Sequence, residues 1–258
     1  MKSFREMTRQ ELGEAYDNTS AVANSADLLA IYEEESELVR KSYKLVNIKY
    51  GESERQNIDY FHVKDNAPIF VFIHGGYWQM RRKETFHFIT KFLAKKGYNV
   101  AFIGYTLAPE NDLAGIEKEL KTALKTLRER AESLYFDKDA ITVSGWSAGG
   151  HLSVEMLAED GIVSALAISG IYDLEPISMC FLNDKLNISR QDIKELSPIL
   201  KPAPTKQIHI VYGQSELSEI IRQSKDFFQH CKATASLKEI AKANHFSILL
   251  DEETYSNL

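Results

Sequence analysis

Cysteine is scarce in this chain of 258 residues, where Cys180 and Cys231 are the two present. Without a C-x-x-C spacing, they predict neither a disulfide framework nor a thiolate zinc site. Glycine and proline are also few, at 13 and 6 residues. This excludes collagen-like and linker-rich classes. We expect two reduced cysteines in a globular protein and predict no metal and no cofactor.

Basic stretches and long apolar runs are missing as well. The chain has 31 Lys and Arg against 37 Asp and Glu, a formal charge of -6, with no basic run interleaved with aromatics. Nucleic acid is therefore not an expected partner. Apolar runs such as 69–73 are far shorter than the roughly 20 residues that cross a bilayer, so no membrane contact is expected. The first 16 residues lack an apolar signal segment, which predicts a cytoplasmic protein. A homodimer stays open.

The hydrophobic pattern predicts one α/β domain over residues 1–258. Residues 1–40 are polar and helix-prone and predict two short helices, and two strands at 43–50 and 58–62 predict an antiparallel start to a sheet. Strands then alternate with helices. This predicts a mostly parallel central sheet with helices on both faces. The predicted strands lie at 69–73, 99–103, 140–144, 163–168, 207–212 and 236–240, and the predicted helices at 83–96, 111–134, 148–157 and 219–230.

Residues 172–200 interrupt this alternation late in the sheet. The segment predicts short helical fragments and no clear strand. In a doubly wound sheet an insertion of this kind lies beyond the carboxyl ends of the strands, where ligands bind. We therefore interpret it as a lid-like insertion or a wall of the pocket.

The sharpest motif is Gly-Trp-Ser-Ala-Gly at 145–149, directly after an apolar strand and directly before a helix. Glycines two positions either side of Ser147 allow a tight strand-to-helix turn that presents the hydroxyl beside a helix N-terminus. A small-residue turn that only packs is the alternative. The position between strand and helix favours Ser147 as a nucleophile.

A second motif, His-Gly-Gly-Tyr-Trp at 74–78, follows the strand at 69–73. Adjacent glycines expose backbone N–H groups, so Gly75 and Gly76, together with Ala148 after the nucleophile, are the candidate oxyanion hole. His74 is interpreted as a structural residue that orients this loop by a hydrogen bond.

A serine nucleophile needs a histidine base, which in this architecture comes last in the chain order serine, acid, histidine. Three of the seven histidines precede Ser147, and three others lie on predicted helices or strands. His245 lies in the polar loop after the final strand. We predict His245 as the base, the alternative being a surface-loop histidine.

The acid is expected just after the strand at 207–212. Residues 213–219 contain no aspartate, so the candidates there are Glu216 and Glu219. Glu216 is closer to the strand end and is favoured, since Glu219 suits the first turn of the next helix. Asp184 in the insertion is an outside candidate.

These motifs resemble the α/β-hydrolase fold and, within it, the kynurenine formamidase (arylformamidase) family. The resemblance covers nearly the whole chain and rests on the segments 14–18, 74–79, 145–152, 169–176 and 196–198, with Asn183. One departure concerns the acid: Glu216 stands where the family usually has aspartate.

The resemblance implies a serine hydrolase that cleaves the formamide of N-formyl-L-kynurenine, a small-molecule substrate, to kynurenine and formate. The aromatic Tyr77 and Trp78 beside the oxyanion loop are candidate substrate contacts, although such residues are equally often ordinary packing. Because the same triad hydrolyses esters, a carboxylesterase for small aryl or short-acyl esters is the alternative. A non-catalytic ligand-binding protein with this fold is a more distant alternative.

Overall fold

Eight strands form a single sheet in the computed structural model, which describes residues 3–258. The sheet order is β1-β2-β4-β3-β5-β6-β7-β8, with β2 antiparallel to both neighbours and every other pair parallel. The mostly parallel sheet with an antiparallel start is thus confirmed. The strands are β1 (Leu45–Lys49), β2 (Asn57–Phe61), β3 (Ala67–Ile73), β4 (Asn99–Ile103), β5 (Phe136–Trp146), β6 (Ile162–Ile168), β7 (Gln207–Gly213) and β8 (Ala235–Ile240).

Helices cover both faces of the sheet, and β3 shows why. Ile69, Val71 and Ile73 pack on one face, while Phe70 and Phe72 pack on the other. A strand buried on both faces needs a continuous apolar run. The helices are α1 (Arg9–Tyr16), α2 (Asn18–Ala21), α3 (Ser25–Ser42), α4 (Thr90–Lys95), α5 (Leu113–Glu129), α6 (Ala131–Leu134), α7 (Ala148–Glu155), α8 (Glu175–Ser178), α9 (Asn183–Leu186), α10 (Arg190–Leu196) and α11 (Ser218–His230).

The N-terminal helices differ from the prediction of two short ones. A 3₁₀ turn at Phe4–Glu6 precedes three helices, and the third, α3, runs for 18 residues. The polar residues that follow α1 do not simply end it. The Asp17 carboxylate accepts from the Ser20 amide and so caps the start of α2, as Asp often does at helix N-termini.

Two other predicted helices have altered geometry. The segment predicted at 83–96 begins as a 3₁₀ helix, Lys83–Ile89, before α4. Nearly all of its residues are buried, and tertiary packing of this kind overrides helical periodicity. The segment predicted at 111–134 is divided at Arg130 into α5 and α6.

The segment 172–200 contains α8, α9, α10 and a 3₁₀ turn at Pro198–Leu200. It is tied to the N-terminal region by two ion pairs, Arg5–Glu175 and Arg9–Asp184. Cys180 and Cys231 are free and buried. Between residues 3 and 258, no helix has the length and apolarity needed to span a bilayer.

Candidate active site

Ser147 lies on the sharp turn between β5 and α7. Its backbone has φ 58° and ψ −120°, a conformation that non-glycine residues rarely adopt. A Cβ on Gly145 would lie 2.0 Å from the Gly149 carbonyl oxygen, and one on Gly149 would lie 2.0 Å from that of Ile73. The two glycines of the motif are therefore required because backbone fills the space where their side chains would be.

His245 and Glu216 form a buried pair in the loops after β8 and β7. The Nδ1 atom of His245 lies 2.6 Å from Oε2 of Glu216, and their side chains are 4% and 0% exposed. An ionised Glu216 can only accept here, so Nδ1 carries the proton and Nε2 has the free lone pair. This is the tautomer that a general base requires.

The second oxygen of Glu216 is also held. Its Oε1 atom accepts from the Gly213 amide at 2.6 Å and from the Ser169 hydroxyl at 2.6 Å. Three donors thus surround the buried carboxylate, which offsets the cost of removing it from water. Ser169 follows β6, so three neighbouring strands contribute to fixing this group.

The loop that carries His245 is fastened to the turn that carries Ser147. Trp146 immediately precedes the serine, and its indole N–H donates to the His245 carbonyl oxygen at 2.8 Å. The Trp146 and His245 rings also pack with centroids 4.9 Å apart. Ser147 and His245 are both buried, at 2% and 3% exposure. The turn that carries the Ser147 hydroxyl and the His245–Glu216 pair therefore lie at the same carboxyl edge of the sheet, joined through Trp146.

The glycine loop after β3 packs directly on the same turn. A Cβ on Gly75 would lie 3.1 Å from Ser147 Cβ and 2.5 Å from the Trp146 carbonyl oxygen, and Gly76 has φ 106°. Among residues 3–258, the amides of Gly76 and Ala148 donate to no acceptor. Unpaired backbone donors beside a serine hydroxyl are the arrangement that stabilises an oxyanion.

His74 orients this loop, as predicted. Its Nδ1 donates to the Gly75 carbonyl oxygen at 2.8 Å, and its own carbonyl oxygen accepts from the Tyr105 hydroxyl at 3.0 Å. The His74 ring stacks on Tyr105 with centroids 4.3 Å apart. Burial lowers the pKa of His74 to about 4. The residue is therefore a neutral structural donor at neutral pH.

The aromatic candidates Tyr77 and Trp78 occupy different environments. The Tyr77 hydroxyl donates to the Tyr16 carbonyl oxygen at 2.6 Å and accepts from Asn18 at 2.9 Å. Trp78 is fully buried with its ring edge-on to His151, at a centroid distance of 5.2 Å. Tyr77 thus links the oxyanion loop to the N-terminal helices. Substrate contact by either ring stays a prediction.

The other acid candidates lie elsewhere. Glu219 accepts from the Tyr16 hydroxyl at 3.0 Å and pairs with Arg222. Asp184 is exposed and pairs with Arg9. Of the three carboxylates considered from the sequence, Glu216 is the one in contact with His245.

Ser169 and Trp146 are the site residues that sequence reasoning missed as contributors. Trp146 occupies a variable position of the serine motif, and Ser169 belongs to a segment noted for family resemblance alone. The available signal for Ser169 was its place at the carboxyl end of β6, beside the strand that leads to Glu216. Within residues 3–258, no group of three or more His, Cys, Asp or Glu side chains is arranged to hold a metal ion.

Comparisons with known proteins identify hydrolases as the relatives of this chain. The BD-FAE family model matches residues 60–165. A kynurenine formamidase of Salmo salar is 28% identical over 226 residues, covering 80% of this chain and 76% of that protein. Esterase LipC of Mycobacterium tuberculosis is 32% identical over 243 residues, covering 79% of this chain and 60% of that protein. A crystal structure of a candidate thioesterase from Silicibacter sp. TM1040 superposes with a TM-score of 0.83 at 26% identity, covering 94% of each chain.

Sheet, site and relatives together define the class: the chain is a hydrolase with the α/β-hydrolase fold. Within that class it is related to the kynurenine formamidases, at 26% to 28% identity to the fish and insect members. The family resemblance inferred from the motifs is therefore confirmed.

Proposed function

We propose that the protein is a serine hydrolase that cleaves N-formyl-L-kynurenine to kynurenine and formate. The observation that carries this proposal is the His245–Glu216 pair fastened beside Ser147 by Trp146. Relatives that are kynurenine formamidases support the formamide as the bond cleaved. The roles of the individual residues are part of the proposal.

In the first half of the reaction, the Ser147 hydroxyl attacks the formyl carbon while Nε2 of His245 takes its proton. The amides of Gly75, Gly76 and Ala148 stabilise the oxyanion that forms. His245 then returns the proton to the aniline nitrogen. The C–N bond breaks, kynurenine leaves, and the formyl group remains on Ser147.

In the second half, water attacks the formyl ester while His245 again accepts a proton. Collapse of this intermediate releases formate and restores the Ser147 hydroxyl. The reaction consumes one water and needs no oxidant, reductant or cofactor. Glu216 remains ionised throughout and stabilises the imidazolium of each transition state.

The pocket walls in this proposal come from the oxyanion loop and the lid-like segment 172–200. The Gln79 side chain donates to the Leu182 carbonyl oxygen at 2.8 Å, which joins the two. Tyr77 and Trp78 are proposed to border the aryl ring. The single-domain organisation and a cytoplasmic location remain predictions, and a homodimer remains open.

A carboxylesterase is the second candidate function. The similarity to LipC favours it, and the same nucleophile, base and oxyanion donors act on esters. A non-catalytic ligand-binding protein is the third, and the presence of the intact Ser147, His245 and Glu216 argues against it.

The first prediction separates these functions by steady-state kinetics. We expect the wild-type protein to hydrolyse N-formyl-L-kynurenine with a higher kcat/KM than 4-nitrophenyl acetate. Ser147→Ala should lower kcat by at least about 10³-fold on both substrates, because it removes the nucleophile. Hydrolysis of the ester alone would establish the carboxylesterase. Activity that Ser147→Ala leaves unchanged would contradict any serine mechanism here.

A further inference from the structure

Arg81 ends the loop that begins with the candidate oxyanion donors. Tyr77, Trp78 and Arg81 all have positive φ values, of 50°, 58° and 77°, as does Gly76. Left-handed backbone is costly for residues that carry a Cβ. The strained path of this loop therefore fixes the direction in which the Arg81 side chain leaves the backbone.

The side chain of Arg81 has no polar partner in the protein. Among the arginines of residues 3–258, it alone is partly buried without a hydrogen bond or ion pair to its guanidinium. Its neighbour Arg82 pairs with Glu33, and Arg55 donates to the Arg81 backbone carbonyl at 3.0 Å. A partly desolvated guanidinium whose five N–H donors have no protein acceptor favours the binding of an anion.

This unpaired charge lies beside the proposed reaction centre. A Cβ on Gly76 would lie 2.7 Å from Arg81 Cγ, so the arginine stem crosses the oxyanion loop. Arg81 and Glu216 also both act electrostatically on the pKa of Tyr32, whose hydroxyl donates to the Phe246 carbonyl oxygen next to His245. The stem of Arg81 therefore packs against the glycine loop beside Ser147, and its charge acts on a tyrosine that is hydrogen-bonded next to His245.

We propose that Arg81 binds the carboxylate at the amino-acid end of the substrate. This inference rests on the proposed function, in which the scissile formamide and the amino-acid arm that ends in the carboxylate leave the aryl ring at adjacent carbons of one molecule. With the formyl group at Ser147, the arm extends from the neighbouring ring carbon towards Arg81, which forms a charge-assisted, two-pronged contact with its carboxylate. Arg81 is a specificity-determining residue and takes no part in bond cleavage.

The physical reason for using arginine is its charge at every working pH. Burial lowers the pKa of Arg81 from its ordinary value, but a guanidinium remains protonated in proteins. Binding an anion replaces the lost hydration of this group, so the same desolvation that makes Arg81 costly in the free protein strengthens the contact with a carboxylate.

The second prediction tests this with three substrates that share the aryl formamide. N-formyl-L-kynurenine carries the carboxylate, its methyl ester lacks that charge, and formanilide lacks the whole arm. Arg81→Gln should raise KM for N-formyl-L-kynurenine about 10- to 100-fold, the size of a lost charge-assisted hydrogen bond, with kcat within about threefold. It should leave kcat/KM for the other two nearly unchanged. Arg81→Lys should recover part of the loss.

Arg82→Gln is the matched control, because Arg82 is exposed and paired with Glu33, and it should behave as wild type on all three substrates. An Arg81→Gln loss that is equal on all three would overturn this inference alone and make the arginine a structural part of the loop. A wild type inactive on N-formyl-L-kynurenine and on formanilide would instead overturn the proposed function.

Discussion

Glu216, the proposed acid, has one methylene more than the aspartate that the family resemblance leads us to expect at this position. Gly213 makes room for it, because a Cβ there would lie 3.2 Å from Glu216 Cγ and 2.4 Å from the Ala243 carbonyl oxygen. The Gly213 amide also donates to the carboxylate at 2.6 Å. A glycine at the end of β7 thus accommodates the longer side chain and binds it at the same time.

The third prediction concerns this carboxylate. Glu216→Gln should lower kcat by about 10³- to 10⁴-fold with little change in KM, because a neutral amide no longer stabilises the imidazolium or selects the His245 tautomer. The fold should persist, since the amide is nearly isosteric. Steady-state kinetics on the best substrate and a thermal unfolding curve measure both effects.

Glu219→Gln is the contrasting variant. Glu219 is 1% exposed and bound to Arg222 and Tyr16, so its loss should reduce the free energy of unfolding by about 1–3 kcal/mol while kcat stays close to wild type. A large fall in kcat for Glu219→Gln, with Glu216→Gln near normal, would reverse the assignment of the acid.

At the residue scale, Ser147 and His245 can be predicted as nucleophile and base from the sequence because the position of each follows a strong rule. Ser147 lies between glycines at a fixed spacing. His245 is the histidine that remains after those before Ser147 and those on predicted helices or strands are set aside. Ser169 has no such rule, since one serine after a strand is ordinary. Its contact with Glu216 exists because β6 and β7 are neighbours, with Ile168 opposite Val211.

At the scale of elements, the turn between β5 and α7 is held by backbone contact with β3. Gly149 approaches the Ile73 carbonyl so closely that no side chain fits. Gly150 is similar, because a Cβ there would lie 2.8 Å from Gly170 Cα. Small residues at the start of α7 therefore let the helix sit directly on the strand ends that carry the site.

The fourth prediction follows from this contact. Gly149→Ala should reduce the free energy of unfolding by more than about 3 kcal/mol and abolish activity, because rigid backbone of β3 blocks the new methyl group. Gly97→Ala is the control. Gly97 has φ 79° but nothing within 4 Å of a Cβ, so it should cost about 1–2 kcal/mol from backbone conformation alone. Urea unfolding of both variants measures the difference, and equal losses would contradict a steric origin.

Strands were easier to predict than the helices around them. A run such as Ile69–Ile73 reads as a buried strand from its composition, whereas the helical segments depend on tertiary contacts that no local pattern encodes. The 3₁₀ start at Lys83–Ile89 is one case: Lys83 is buried in an ion pair with Asp59 of β2. Its geometry follows from a partner 24 positions earlier in the chain.

At the scale of the whole molecule, the N-terminal region and the segment 172–200 both hydrogen-bond to the loop that carries the candidate oxyanion donors. Asn18 and the Tyr16 carbonyl hold Tyr77 in the oxyanion loop, and Arg5 and Arg9 hold the segment 172–200 by ion pairs at its surface. Exposed ion pairs each contribute little. The part-buried hydrogen bonds of Tyr77 are therefore the more specific connection, and they join the N-terminal helices to the oxyanion loop.

A pair of glutamates lies at the opposite end of α7, about 12 Å along the helix from Ser147. Glu117 of α5 is 9% exposed, and its Oε1 atom is buried without a hydrogen-bond partner. Glu155 closes α7 and pairs with Lys201. No sequence pattern indicated this pair, because its members belong to helices separated by a strand.

The fifth prediction is a pH dependence of stability from Glu117. Burial, and next the charge of Glu155, raise the pKa of Glu117 to about 7, above the ordinary value of about 4.3 in the unfolded chain. Between these values the folded state holds a proton that the unfolded state has lost, so this contribution to stability is complete below about pH 4 and is lost as the pH rises through 7. The Glu117→Gln variant has no ionisable group at this position, so its free energy of unfolding does not fall in this way as the pH rises.

The variant should therefore match wild type near pH 4 and exceed its free energy of unfolding by about 1–3 kcal/mol at pH 8. Urea unfolding of both proteins between pH 4 and 8 measures this, and the contributions of other titrating groups, including His74, cancel in the difference. Glu132→Gln, an exposed change on the neighbouring α6, should give a difference that does not vary with pH. A flat difference curve for Glu117→Gln would show instead that Glu117 is ionised in the folded protein, with Lys201 shared between both carboxylates.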